Sequence, residues 1–330
     1  MTGATHPALA AGVGGFYIAA QVDYFCPEAN YLRYEVYRMS LNVPTPGWTR
    51  ILTETPQLRS DDILGVAIDG YAVSARDIVH PMMAVAQMSG HDVVILVGPE
   101  AGDPDCGGSP SSTQKVFQYR LENADAPCQP DPIGYSFDHD QTCDGKVNER
   151  HQVDLPANCI RFCNCDGPTY YQPRNAGWQL QPAAFAGGTI APDSPVPADS
   201  RVGIIWYEQP YRTASFPVPQ GGKDAWTVVR GAWSADAGAH YSFPFDLTVP
   251  NGEGPPQNDN IIGQYFEPCA DAAEGDRGYY GDYIGGAFTT ASPWTLIAAA
   301  WTDSRLGCPS RDNLADTWHQ HVYAYGISYP

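Results

Sequence analysis

Lysine is nearly missing from this chain: it occurs only at Lys115, Lys146 and Lys223 among 330 residues. With 18 basic residues against 37 acidic ones, the formal charge is −19. A field of that sign repels phosphate backbones and anionic lipid, which excludes nucleic acid and membrane-surface partners and favours dissolved cations. No apolar run is long enough to span a bilayer. The opening "MTGATHPALAAGVGG" lacks the basic start and apolar core of a signal peptide, so an exported chain is expected here as a mature form with an added Met, or as a fragment. Long Leu-, Lys- or Glu-rich helical patterns are also lacking. A Ser-centred nucleophile elbow, a Walker-type phosphate loop and a Rossmann glycine pattern are not evident, which sets aside α/β-hydrolase chemistry, phosphoryl transfer and hydride transfer.

Turn formers and β formers dominate what is present. There are 33 Gly, 30 Pro, 20 Tyr, 11 Phe and 8 Trp, with 43% hydrophobic residues, enough to bury a sizeable core between many turns. Strand-like pairs recur: "GFYIAAQVDYF" with "YLRYEVYRMSL", "MMAVAQMSGHDVVILVG" with "KVFQYRLE", "RVGIIWYEQ" with "AWTVVRGAWS", and "WTLIAAAWTDSR" with "HQHVYAYGISY". Each couples a nearly continuous apolar strand to a more alternating one, as expected of an inner strand buried on both faces and a neighbour lying further out. Repeated strand groups without helices predict an all-β fold, a β-propeller of four-stranded antiparallel blades. A repeat of roughly 55 residues predicts six blades in a single domain over 1–330, with five or seven remaining open. An irregular Cys-, Pro- and Asp-rich insertion occupies about 122–200 and holds five of the nine cysteines.

Nine cysteines beside Pro, Gly, Asp or Asn predict an oxidising compartment: secreted, periplasmic or cell-surface. Cys106, Cys128, Cys143, Cys159, Cys163, Cys165 and Cys308 are disulfide candidates, together with a half-cystine expected at position 268 in "YFEPCADA", and connectivity is open. Zinc at Cys159, Cys163 and Cys165 is the alternative, against which stand the missing C-x-x-C pairing and the absence of an adjacent His. "DHDQTCDGKVNE" has oxygen donors at Asp140, Thr142 and Asp144 and a Gly145 turn, which resembles part of an EF-hand loop for calcium. Its terminal carboxylate, Glu149, falls two residues early, and a solvated acidic loop is the other reading. His319 and His321 alternate by two and would share a strand face, which more often means exposed imidazoles than a metal site.

"VVRGAWSADAGAHYSFPFDL" reads as a hairpin whose turn fastens itself, with the Asp236 carboxylate accepting backbone N–H groups and Gly238 taking a positive φ. Ser234, Asp236, Gly238 and Tyr241 in this stretch resemble the Asp-box of the sialidase superfamily. "YYGDYIGGAF" followed by "LIAAAWTDSR", and "ILGVAIDGYAVSARDI", are similar to blades of bacterial secreted sialidase-like (BNR-repeat) proteins. The resemblance implies a propeller in which the box is a structural turn. It does not extend to the catalytic set: "TRIL" at Thr49–Leu52 lacks the Pro of the family's Arg-Ile-Pro segment, and only one full box is present.

The remaining catalytic candidates are Arg305 with Asp303, suited to a carboxylate clamp and an acid, and Tyr283 with Asp282, suited to nucleophile chemistry or sugar stacking. An ion pair at a strand end and packing between blades are their structural counterparts. Two functions from different classes follow. One is a non-catalytic propeller that binds a glycan or protein, which an exposed strand edge or free Cys would let assemble into a larger surface structure. The other is a diverged exo-glycosidase of the sialidase clan.

Overall fold

The computed structural model describes residues 2–26, 29–40, 47–54, 67–68, 71–72, 81–101, 114–126, 149–153, 178–187, 200–209, 228–242, 244–247, 269–271, 277–279, 284–291, 294–303 and 321–329. Among them there is no α-helix. The strands are β1 (Thr2–Gly12), β2 (Gly15–Cys26), β3 (Ala29–Ser40), β4 (Trp48–Glu54), β5 (Ala67–Ile68), β6 (Tyr71–Ala72), β7 (Met82–Met88), β8 (His91–Ala101), β9 (Gln114–Leu121) and β10 (Glu149–Gln152). They continue as β11 (Trp178–Ala186), β12 (Val202–Gln209), β13 (Val228–Ser234), β14 (Phe245–Asp246), β15 (Cys269–Asp271), β16 (Arg277–Tyr279), β17 (Gly285–Ala291), β18 (Trp294–Asp303) and β19 (His321–Tyr329).

Three four-stranded antiparallel meanders carry the fold: β1 to β4, β7 to β10, and β11 to β14. A three-stranded meander, β17 to β19, follows, and β5–β6 and β15–β16 are two-stranded ribbons. Local chemistry accounts for the tight turns. Ser89 and Gly90, at φ 55° and 84°, link β7 to β8 in a turn that needs two positive φ values, which Gly supplies without strain and which matches the right-handed strand twist.

The second sheet is buried on both faces. Val94 and Leu96 of β8, with Tyr119 and Leu121 of β9, pack against Tyr17, Ala19, Tyr34 and Val36 of the first sheet. Their neighbours Val93, Ile95 and Val97, with Val116, pack against Val202, Ile204 and Trp206 of the third. Period-two alternation thus feeds two cores from one strand. The third sheet meets the fourth around Phe185, whose ring stacks edge-on against Phe288 with centroids 5.1 Å apart. That ring fills the space over Gly203 and Gly286, where a Cβ would overlap it.

The most apolar strands, β8, β12 and β18, are second in their sheets, not innermost as the sequence pattern suggests. β8 and β12 have hydrogen-bonded neighbours on both edges and packing on both faces, so they are continuously apolar, whereas β2, second in a sheet with one face turned away, alternates. The first strands lie side by side instead: β1 against β7, β7 against β11, and β11 against β17. The described residues of the segment "ILGVAIDGYAVSARDI" form the β5–β6 ribbon, and the second sheet begins at Met82.

The first sheet has one face on this stack and one turned away from it. On the latter, the row Phe16, Met39, Trp48 crosses β2, β3 and β4, and Leu9, Phe16 and Trp48 are 69%, 38% and 48% exposed.

Gly286→Val is expected to weaken docking of the fourth sheet, at about 1–3 kcal/mol of stability by overpacking. Denaturant melts of this variant should show a smaller loss when Phe185→Leu is present as well, because the two changes share one contact.

Candidate functional site

Because the first three sheets each have four strands, the chain enters and leaves each at the same end. The opposite end is fastened by two polar clamps, the first buried and the second partly exposed. In the first, the fully buried Asp92 carboxylate accepts hydrogen bonds from the backbone N–H groups of Val13 (3.0 Å) and Gly14 (2.8 Å) and from the Tyr17 hydroxyl (2.7 Å). The Asp92 N–H donates to Asp125, and Arg38 donates to the carbonyls of Ala124 and Ala126. The clamp ties the β1–β2 turn to the second sheet. Burial, and then the bond to Asp92, push the Tyr17 phenol well above the usual tyrosine range.

The second clamp is the stretch from Ser234 to Tyr241, in the β13–β14 turn. The Ser234 hydroxyl donates to Asp236 (2.7 Å) and accepts from the N–H groups of Asp236 and Gly238. Asp236 also accepts from the His240 backbone N–H and pairs with its ring at 2.6 Å. Ala237 and Gly238 take positive φ values of 53° and 80°. The turn then reaches across to β9: Arg120 donates to the Ala237 carbonyl, Gln118 donates to that of Gly238, and the buried Tyr241 hydroxyl donates to Gln118. Burial pushes the Asp236 carboxyl up. The hydrogen bonds from His240 and Ser234 outweigh it and leave the group below its ordinary value. Both clamps join sheets to each other.

The end where the chain crosses between sheets is built differently. The ribbons β5–β6 and β15–β16 belong to two of these crossings, and β6 touches β16. Midway along their length, β1 and β11 are each interrupted by a bulge at a polar residue and a Pro: the register breaks between Thr5 and Ala8, around His6–Pro7, and between Leu180 and Ala183, around Gln181–Pro182. Gln181 is 2% exposed and has φ 45°, an uncommon value for a residue with a Cβ. None of the first strands β1, β7, β11 and β17 carries Asp, Glu, Lys or Arg, in a chain of which 17% is charged. On the first sheet's outward face, the 2% exposed Glu35 carboxylate is held by the Tyr37 hydroxyl and by Arg50 at 3.3 Å.

The residues singled out from sequence fall unevenly. Asp303 ends β18 opposite His321 of β19, while Arg305, Asp282, Tyr283 and His319 lie outside the described residues. Glu149 opens β10 opposite Arg120, and Asp140, Thr142 and Asp144 lie outside. The half-cystine expected at position 268 is corrected by one residue: that position is Pro268, whose ring carries no thiol, and the sulfur belongs to the next residue, Cys269. Cys269 opens β15 opposite Tyr279, and Cys106, Cys128, Cys143, Cys159, Cys163, Cys165 and Cys308 lie outside the described residues. Among the described residues, no three His, Cys, Asp or Glu side chains converge as metal ligands. The Asp92 clamp and the two bulges escaped the sequence reading. The signal for the bulges was a recurring polar-Pro dipeptide, "THPA", "VHPM" and "LQPA", ahead of an apolar run.

No protein-family model matches the chain, and no curated protein does. Among solved structures, the chain is similar to a Cellvibrio cellulosa α-L-arabinanase complexed with arabinohexaose, at 11% identity and TM-score 0.29, over 99% of this chain and 74% of that one. It is also similar to a GH43_1 enzyme from Xanthomonas citri complexed with xylotriose (12%, TM-score 0.33, 98% and 87% covered) and to an α-L-arabinofuranosidase from Lactobacillus brevis (10%, 0.32, 100% and 92%). A likeness this distant transfers no residue role to the chain.

Asp92→Ala leaves the buried Tyr17 phenol without its acceptor and removes that of the partly exposed Val13 and Gly14 N–H groups, and is expected to lower stability by about 1–3 kcal/mol. Asp236→Ala is expected to lose about 1–3 kcal/mol while leaving ligand binding intact. Because the folded Asp236 carboxyl is depressed, its contribution is present above the ordinary carboxylate range and disappears as pH falls through its lowered value. The melting-temperature gap between wild type and Asp236→Ala should therefore narrow on acidification from neutrality to about pH 3.

Proposed function

We propose that the chain is a β-propeller recognition module that takes a neutral carbohydrate where its first strands come together, and that it does so without hydrolysis. The observation that carries this reading is the uncharged set of first strands, β1, β7, β11 and β17, lying side by side in a strongly acidic chain. A glycosidase needs two carboxyl groups flanking the scissile bond, and these strands contribute none. The buried carboxylates elsewhere among the described residues are engaged in holding structure: Asp92 holds a turn, and Glu35 holds Tyr37 and Arg50. Ionic ligands would find no counter-charge on the first strands. A polyhydroxylated neutral ligand asks only for amide, imidazole and backbone partners.

The propeller reading is supported by the order of the sheets; the apolar outward face of the first sheet, with Leu9, Phe16 and Trp48 exposed, is the face that closing a ring would bury. The six-blade count and the binding of calcium belong to this proposal as well, together with the extracellular location suggested by the cysteines.

The test is binding to a panel of neutral glycans, led by arabinan and xylan oligosaccharides, alongside hydrolysis assays on the same sugars and on fluorogenic sialosides, each with and without calcium. Saturable binding without turnover is expected. Turnover would replace this reading with the diverged glycosidase, and absence of any glycan binding would move the search to protein ligands.

A further inference from the structure

We infer that the outer edge of β19 is an interaction surface, and that its partner is the β19 of a second copy of this chain, paired antiparallel across a two-fold axis. The inference concerns assembly and stands independently of the ligand reading above. β17 lies against β11, so β19 is the outer strand of the fourth sheet. Among the described residues that sheet has three strands where each of the first three sheets has four, and no strand lies beyond β19.

A strand edge presents a row of backbone N–H and C=O groups that template pairing with another chain, and folded proteins blunt such edges with short strands, charges, Pro or bulges. The outer strands of the first three sheets all carry such devices. β4 is bulged where its register against β3 shifts between Val36 and Tyr37, and it carries Arg50 and Glu54. β10 has four residues, among them Glu149 and Arg150. β14 has two residues, one of them Asp246. None of these devices is found in β19. It runs for nine residues, "HVYAYGISY", pairs with β18 from His321 to Tyr329 without a register shift, and contains no Asp, Glu, Lys, Arg or Pro.

Charge and symmetry point to a second copy as the occupant. A chain of charge −19 repels its own copies, and β19 offers them a nine-residue edge free of carboxylates. An antiparallel edge is its own complement, because a two-fold axis sets its donors against its acceptors. Centred on Tyr325, the pairing keeps all nine residues in register. It sets Tyr323 opposite Ile327 of the partner subunit and Val322 opposite Ser328 of the partner subunit. Aromatic and β-branched residues favour each other in such cross-strand pairs, and no two like charges are opposed. The second copy then takes the fourth-strand position in the fourth sheet.

The experiment follows the mass of the full chain by sedimentation equilibrium over a wide range of concentrations, with amide hydrogen exchange along β19. Wild type should pass from 35.8 kDa to twice that mass as concentration rises, and protection of residues 321–329 should rise with it. Combining Val322→Lys with Ser328→Lys opposes like charges at two places and should raise the dimer dissociation constant about tenfold or more. Combining Val322→Lys with Ser328→Glu makes both places pairs of opposite charge and should restore the dimer, which damage to the fold alone would not allow. Wild type that stays at 35.8 kDa, a dimer that both variants leave unchanged, or a dimer lost in the first variant and not restored in the second would each overturn the inference. So would β19 amides already fully protected where the chain is monomeric, because another segment of the same chain then covers the edge. Where the first variant fails to fold, the concentration dependence of exchange in wild type decides between these outcomes.

Discussion

Everything in this fold depends on burying both faces of the second sheet. β8 places Val94 and Leu96 in one core and Val93, Ile95 and Val97 in the other, so neither neighbouring sheet can shift without exposing one set. At roughly 25 cal/mol per Å² of apolar surface removed from water, large aliphatic side chains packed this way dominate the favourable side of folding. The interface has little directional preference of its own, because apolar contacts slide. The polar clamps supply the direction. Asp92 ties the first sheet's turn to the second sheet, and Gln118 and Arg120 hold the third sheet's turn, so the three sheets share one register at one end.

This arrangement divides the molecule between a fixed end and a variable one. The clamped turns β1–β2, β7–β8 and β13–β14 mark the fixed end, which the long β9–β10 connection also leaves and rejoins, and the crossings between sheets mark the other. Long connections on a rigid scaffold are where binding residues concentrate. The bulges of β1 and β11 interrupt the regular ladder midway between the two ends.

Much of the fold was legible from the chain. Alternation and abundant β formers point to antiparallel sheets, and "SADAGAHY" marks a strand-to-strand turn because Ser, Asp and Gly supply the acceptors and positive φ that such a turn requires. The radial order was not legible. A continuous apolar run such as "DVVILV" reports burial on both faces, which a second strand and an innermost strand have in common. The Asp92 clamp was invisible for a different reason: its partners lie 75, 78 and 79 residues away, and nothing local marks a lone Asp as an acceptor for a distant turn. The uncharged strands were present in plain sight, but they acquire meaning only when the sheet order shows that they are neighbours. The acidic stretch that resembles a calcium loop and most of the cysteines belong to segments where local pattern cannot say which donors meet.

The even strand count of the first three sheets has a consequence for how such a chain can change. Parity decides the end at which the chain emerges. Duplicating or deleting a whole four-stranded unit returns it to the same end, so neighbouring units keep their orientation and their connections stay on one side. Gaining or losing a single strand would invert every unit downstream and carry its crossings over to the clamped end. Variation in this architecture is therefore quantised in whole sheets, while the crossings between them are free to lengthen one at a time.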